Sequence, residues 1–388
     1  ITGTVGGDFN DGDIVTLTIN SNTYTGPVDA AGLFSINVPG PELVADPDIT
    51  IGAAVSTVDA AGNSGSATDT HLYAVDTAPP IPTIVIDDIT PDNIINAAEA
   101  GTDIPVTGTV GGDFNDGDIV TLTVNGNTYT GPVDAAGLFS IDVPGAELAA
   151  DSDTDIPASI ATVNAVGNTG SATDNQPYGV DTVPPVLAIV IDDITPDNIV
   201  NATESGTDIP VTGTVSGEFN DGDIVTLTVN GNTYAGPVNA AGLFSIDVPG
   251  TELAADPDVT VDGSVATMDA AGNPGSATDD HLYGVDTAPP IPTIVIDDIT
   301  IDNIINAAES GIDIPVTGTV GGEVNDGDTV TLTVNGTGYT GTVDAAGVFS
   351  IDVPGAELAA DPDVTVDGSV ATVDAAGNPG SATDDHLY

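Results

Sequence analysis

Apolar and polar residues alternate along most of this chain. In "VTGTV" and "IVTLTVNG", Val106, Gly108, Val110, Val120, Leu122 and Val124 share one face, and Thr107, Thr109, Thr121 and Thr123 share the other. Successive side chains of an extended chain point to opposite sides, so a period of two predicts strands. The alternation continues through "NTYTGPV", "GLFSIDV", "ASIATV" and "GSATDN", punctuated by the turn signals "NGN", "DAAG" and "AVGN". With "TIVIDDIT" in front, strands are predicted over 83–90, 104–110, 119–125, 128–134, 138–143, 156–163 and 170–178. Only "NAAEAG", residues 96–101, reads as a helical turn. About seven short strands in roughly 100 residues predict an all-β fold, a β-sandwich of immunoglobulin type. Trp and Cys are both absent, so the antibody hallmarks are missing and the general architecture is what the pattern supports.

The whole pattern repeats. Tyr73, Tyr178, Tyr283 and Tyr388 fall 105 residues apart, with no insertion or deletion between copies. That period is too long for a solenoid turn and suits a small domain. "VDTAPPIPTIVI" at 75–86 and 285–296, and "VDTVPPVLAIVI" at 180–191, join one copy to the next. Tandem Pro fixes φ and removes donors, giving short stiff connectors. Four units are expected, at 1–77, 78–182, 183–287 and 288–388, arranged as an elongated rod. The first lacks the opening strand. Because the chain opens abruptly on the strand-like "ITGTV", it is expected to be a fragment of something longer.

Composition changes the picture sharply. There are 388 residues, 60 acidic residues and no Lys or Arg, for a formal charge of −60. No internal Lys or Arg salt bridge can form, so each carboxylate is solvated, hydrogen-bonded or paired with a cation from the medium. Nucleic acid and direct membrane contact are poor expectations, because phosphates need positive charge. No run of 18 apolar residues could span a bilayer, and without Cys no disulfide or thiolate site forms. Self-repulsion at this charge destabilises a compact state, and divalent cations or high salt would relieve it.

Candidate chemistry is therefore acidic. "GGDFNDGD" stands at 6–13 and 111–118, and returns as "SGEFNDGD" at 216–223 and "GGEVNDGD" at 321–328. An EF-hand needs an oxygen ligand at its fifth position and a bidentate Glu at its twelfth. Starting from Asp113, those positions are Gly117 and Val124, and the segment that follows reads as a strand. The nonapeptide calcium repeat needs Gly where Phe114 stands, and a recurrence every nine residues. Neither motif applies. Two readings remain open: a polar turn in which Asp118 bonds local amides, and a share in a larger calcium site.

Alternating topology favours convergence. The loops 111–118 and 164–168 fall at the end of a unit nearest its N-terminal linker. Linker Asp76 is then expected to meet Asp116, Asp118 and "NAVGN". Asp181 is expected to face Asp221, Asp223 and Asp269, and Asp286 the equivalent Asp326, Asp328 and Asp374. Acidic loops from two units would meet at an acidic linker with no basic residue available. Hard oxygen donors suit Ca2+, with several ions per repeat at linkers and loops. A second cluster, "DDITPDNIINAAE", offers Asp88, Asp92, Asn96 and Glu99. It recurs with Asp193, Asp197, Asn201 and Glu204, and with Asp298, Asp302, Asn306 and Glu309. The competing reading there is capping by Asp92 or Asn93, with Glu99 solvated. In "LAADPD", Asp256 and Asp258, like Asp361 and Asp363, read first as solubilising residues.

Catalysis has little support. His71, His281 and His386 share a repeat position that holds Gln176 in the second copy, and no nucleophile elbow or His metal motif occurs. The chain is expected not to be an enzyme.

Together, "VTGTVGGDFNDGDIVTLTVNGNTYTGPVDAAGLFSIDVPGAELAAD", "DAAGN" and "VDTAPP" resemble the bacterial immunoglobulin-like tandem repeats of giant type I-secreted (RTX) surface adhesins. The likeness is to the calcium-dependent extender region of ice-binding and biofilm adhesins. It implies an extracellular spacer on the cell surface, partnered by calcium and by neighbouring repeats of the same chain, as a monomeric rod. It also implies that the linker Asp and the Asp before "AAGN" are calcium ligands between domains. Here these are Asp76, Asp181 and Asp286, with Asp59, Asp269 and Asp374; Asn164 departs from the pattern. A glycan- or ice-binding module acting directly in adhesion is the alternative, disfavoured by an aromatic content of 4%. A halophilic protein, whose acidity serves hydration alone, would spread its acids instead of gathering them in loops.

Overall fold

The computed structural model describes all 388 residues. The second repeat shows how the pattern is built. Its strands are β1 (Pro82–Ile86), β2 (Asp103–Gly112), β3 (Ile119–Val124), β4 (Asn127–Pro132), β5 (Leu138–Pro144), β6 (Asp155–Val163) and β7 (Thr169–Pro177). They form two antiparallel sheets, in the orders β1-β2-β5 and β4-β3-β6-β7. This is the expected sandwich of immunoglobulin type. Val120, Leu122 and Val124 of β3 are fully buried between the sheets, and the Thr positions between them are half-buried on the outer face. Asn125 and Gly126 both take positive φ at the β3–β4 turn, as a two-residue hairpin of this twist requires.

Two departures concern helices. "NAAEAG" forms only a 3-10 turn at Glu99–Gly101. A short helix, α1 (Gly145–Ala150), stands where a plain loop was expected between β5 and β6. Leu148 anchors α1 in the core, and Glu147 accepts hydrogen bonds from the amides of Asn125 (2.9 Å) and Asn127 (3.0 Å).

The chain divides into two compact units, the first holding residues 1–93 and 103–178, the second 94–102 and 179–388. In the first unit, Thr2–Thr4 pairs only with Leu33–Ser35, because the first repeat has no counterpart of β1 in this sequence. Its last strand, Ser64–Leu72, is exposed along its whole length as a result. In the second unit the three- and four-stranded sheets occur twice more, in the same orders. A core of Val225, Leu227, Phe244, Val261 and their neighbours fills the third repeat, and the equivalent residues fill the fourth. The linkers also pair: Gly179–Val180 runs parallel to Ile94–Ile95, and Gly284–Asp286 to Ile199–Asn201.

Candidate functional site

The loop between the last two strands of each repeat is a tight turn closed on one side chain, an Asp in the first, third and fourth repeats. In the third repeat, Asp269 Oδ1 accepts the N–H groups of Ala271 (3.0 Å) and Asn273 (2.8 Å), and Oδ2 accepts Asn273 Nδ2 (2.9 Å). Bonding from the Asn273 side chain, then from backbone amides, holds the Asp269 carboxyl below the usual range. Asp374 and Asp59 are held down in the same way by Asn378 and Asn63. The same amide reaches the linker: Asn273 Nδ2 donates to the Asp181 carbonyl at 2.8 Å, and Asn378 Nδ2 to the Asp286 carbonyl at 2.8 Å. Each linker Asp and its loop Asp are thus brought to one Asn, a residue the sequence reading did not single out. Its signal was present, since Asn closes "AAGN" or "AVGN" in every copy.

The first unit differs. Asn164 stands where the other copies have Asp, and its Nδ2 donates to Asp76 Oδ2 (3.2 Å) and to the Ala78 carbonyl (3.3 Å). Here a neutral amide meets the linker carboxylate.

The turns of "GGDFNDGD" look inward. Asp118 Oδ2 accepts the Asn115 N–H at 2.7 Å, and Asn115 Nδ2 reaches Thr162 and the Val163 carbonyl. Asp223 and Asp328 make the same bond to Asn220 and Asn325. Of the two readings of this turn, local bonding describes the contacts these carboxylates make. The acid of this loop that does reach the linker segment is the third residue: Asp113 accepts from Ile81 N–H, Glu218 from Val186 and Glu323 from Ile291. Asp116, Asp221 and Asp326 neighbour these turns on exposed positions.

In the acidic cluster, Asn96 Oδ1 accepts the N–H groups of Ala98 and Glu99, and Glu99 Oε2 accepts the N–H of Asn96. That is a reciprocal capping box, repeated by Asn201 with Glu204 and by Asn306 with Glu309. Asp92, Asp197 and Asp302 each accept a Thr hydroxyl two residues before them. The Asp197 carboxyl is lowered by Thr195 and by the Ile199 N–H. Asn93, Asn198 and Asn303 take positive φ, and each ties its loop to the end of the last strand. Asp88 accepts Gln176 Nε2 at 3.0 Å, while Asp193 and Asp298 lie 3.6 and 3.7 Å from His281 and His386 Nε2. The shared position supplies an N–H donor, which Gln serves as well as His.

The solubility reading of "LAADPD" is corrected by burial. Asp256 is only 7% exposed and accepts the Tyr283 hydroxyl at 3.3 Å. Burial, then the adjoining Asp258, pushes the Asp256 carboxyl up. In the fourth repeat burial and Asp363 raise Asp361, while the hydrogen bond from Asp361 lowers Asp363. These are carboxyls in direct contact, with no cationic side chain in the sequence to separate them.

No three Asp, Glu or His side chains gather into a ready-made metal cage. What the junctions offer as donors is oxygen alone, from carboxylates, backbone carbonyls and amide oxygens. That chemistry fits a hard divalent cation such as Ca2+ and no softer metal.

Sandwich, 105-residue period and acidic linkers define a tandem immunoglobulin-type repeat protein. No family model matches the chain, and no curated protein does. Among solved structures it is similar to the Ca2+-stabilized adhesin that helps an Antarctic bacterium reach out and bind ice. That likeness has 43% identity and a TM-score of 0.86, covering 100% of this chain and 92% of the other. It is also similar to a structure from a 1.5-MDa bacterial ice-binding adhesin, concerned with host cell surface retention. There the identity is 40% and the TM-score 0.65, over 81% of this chain and 98% of that one. A bacterial immunoglobulin-like domain from the M. primoryensis ice-binding adhesin is 44% identical, covering 26% of this chain and 98% of its own, with a TM-score of 0.25. The chain belongs to this family of bacterial ice-binding adhesin repeats.

Proposed function

We propose that this chain is a non-catalytic extender segment of a bacterial cell-surface adhesin. Its repeats hold a distal binding domain away from the cell, and calcium stiffens the joints between them. The observation that carries this reading is that one Asn at each joint bonds both the linker Asp carbonyl and the loop Asp carboxylate, bringing acidic Asp181 to the loop of Asp269 and Asp286 to that of Asp374. Nothing in a chain without Lys or Arg can neutralise them.

Asp181 with Asp269, and Asp286 with Asp374, would hold an ion at the second and third junctions. Asp76, which the Asn164 Nδ2 faces in place of a second carboxylate, would hold one more weakly at the first. The acidic loop of Asp88, Asp92 and Glu99, with its two equivalents, and the buried Asp256 and Asp361 pairs supply further oxygen donors. Bound calcium supplies charge neutralisation and orientation of these oxygens; the protein supplies the folded ends that present them. For a site held at about 100 times its Kd, binding contributes about 2.7 kcal/mol to stability. Two such sites match the marginal stability of a small domain.

Small-angle scattering of the whole chain with calcium and with EDTA tests the reading. The radius of gyration is expected to be larger with calcium, with the thermal midpoint raised in parallel. Equal curves in the two conditions would overturn it.

A further inference from the structure

We propose that Asn273 and Asn378 are clasps that couple successive repeats directly, through hydrogen bonds made entirely by protein groups. Both lie inside the second unit and both are only 1% exposed. Asn273 joins three segments. Its Nδ2 donates to Asp269 of its own loop and to the Asp181 carbonyl of the linker. Its Oδ1 accepts the Ala97 N–H at 2.8 Å, from the acidic loop of the preceding repeat, 176 positions upstream. Asn378 repeats every contact one period later, with the Asp286 carbonyl, Asp374, and the Ala202 N–H at 2.8 Å.

The chemistry of the upstream loop explains the fit. The capping box uses the N–H groups of Asn96, Ala98 and Glu99. Ala97 is the one amide of that turn directed outward, and a buried N–H without a partner is costly. Asn201 and Glu204 leave Ala202 in the same position. The amide can sit only one way round. An N–H donor faces Oδ1, and a carbonyl and a carboxylate face Nδ2, so Asp in this place would set oxygen against oxygen twice. No smaller or apolar side chain serves both sides.

Docking also buries the neighbours. Ala271 is 3% exposed and Ala376 2%. The clasp shares Asp269 and Asp374 with the proposed ion sites, but Ala97 and Ala202 are held by the Asn Oδ1, so exchange measured with calcium and in EDTA tells its failure apart from that of calcium.

Amide hydrogen exchange on the whole chain, followed by NMR in calcium and in EDTA, tests it. Ala97 and Ala202 are expected to be protected in both conditions. N273A should speed exchange at Ala97 about tenfold, the worth of one net hydrogen bond, and leave Ala202 unchanged. N378A should do the reverse. Amides of Ile224–Val229 and Thr329–Val334 should stay protected throughout, reporting intact sandwiches. The proposal is overturned if either variant leaves its partner amide protected or releases both loops. It is equally overturned if a variant unfolds its own repeat, or if chelation alone exposes Ala97 and Ala202 in the unsubstituted chain.

Discussion

Asn164→Asp turns the first junction into a copy of the other two, and the cost and its repair can both be worked out. In the native chain Asn164 Oδ1 accepts the N–H groups of Val166 (3.2 Å) and Asn168 (2.9 Å), which shapes the turn. A carboxylate would keep those bonds, as Asp269 and Asp374 do. Its second oxygen, however, would replace the Nδ2 that now donates to Asp76 at 3.2 Å. Two unit charges about 4 Å apart in water repel by about 1 kcal/mol. The exposed charge-assisted hydrogen bond that disappears contributes about another 0.5 kcal/mol at surface values. The variant should therefore be about 1.5 kcal/mol less stable than the native chain in EDTA.

Calcium should reverse the order. An ion between Asp76 and the introduced carboxylate removes the repulsion, and at about 100 times its Kd it adds about 2.7 kcal/mol. Scanning calorimetry of the whole chain reads the first effect as a transition lowered by about 6 °C in EDTA. Titration calorimetry reads the second as tighter calcium binding at the first junction than the native chain shows. If the stability gap is the same with EDTA and with calcium, or absent in both, the carboxylate pair is not an ion site and the junction argument fails.

Three further outcomes follow from the same contacts. Tyr283→Phe removes the hydroxyl that donates to the Leu253 carbonyl at 2.8 Å and to buried Asp256. Urea unfolding of the third repeat should show a loss of about 1–3 kcal/mol, and an unmoved midpoint would refute the role. In EDTA, stability should rise as pH falls from neutral toward the raised values of Asp256 and Asp361. The raised Asp256 and Asp361 carboxyls take up protons more readily folded than unfolded, so their contribution is present at low pH and lost as pH rises through the raised values. Below about pH 3.8 the trend should turn, because the lowered Asp269 and Asp374 contribute only while ionised. With calcium saturating, acidification should lower the melting point throughout, and a rise there would contradict an ion on these carboxylates. His281→Gln should stay within about 0.5 kcal/mol of the native chain at pH 7, since Gln176 already makes this contact with Asp88; a larger loss by urea unfolding would show that the ring itself matters.

The strands were legible because each is half-buried: Val120, Leu122 and Val124 alternate with Thr, and nothing but a strand has that period. Helix α1 was not legible. Six residues are too few for a 3.6-residue period to declare itself, and its stability comes from Leu148 in the core and the Tyr178 hydroxyl on the Leu148 carbonyl. Of the site, the acids that gather at the junctions could be read, because repetition and alternating topology place whole loops. Which atoms they bond could not. Asp118 is spent on an N–H three residues away, a local choice that an acidic stretch does not reveal. Asn273 is committed to a partner 176 residues upstream, through a turn whose capping box had to form first. "LAADPD" misled for the same reason, since its first Asp looks exposed until the Tyr at the end of the repeat closes over it.

Within the second unit a junction is held by three devices that respond to different things. The linker strand Gly284–Asp286 pairs with Ile199–Asn201 through backbone bonds, and Asn378 adds the amide clasp. The strand pairing and the clasp's bonds to Ala202 and to the Asp286 carbonyl join neutral groups, so they are little affected by the −60 charge of the chain or by salt. The third device is the one proposed above, a cation held by Asp286 and Asp374. On that proposal a joint would keep its register when calcium is withdrawn and lose its stiffness. Stiffness would then be the single property that the surrounding calcium concentration sets, and it is the property a spacer needs.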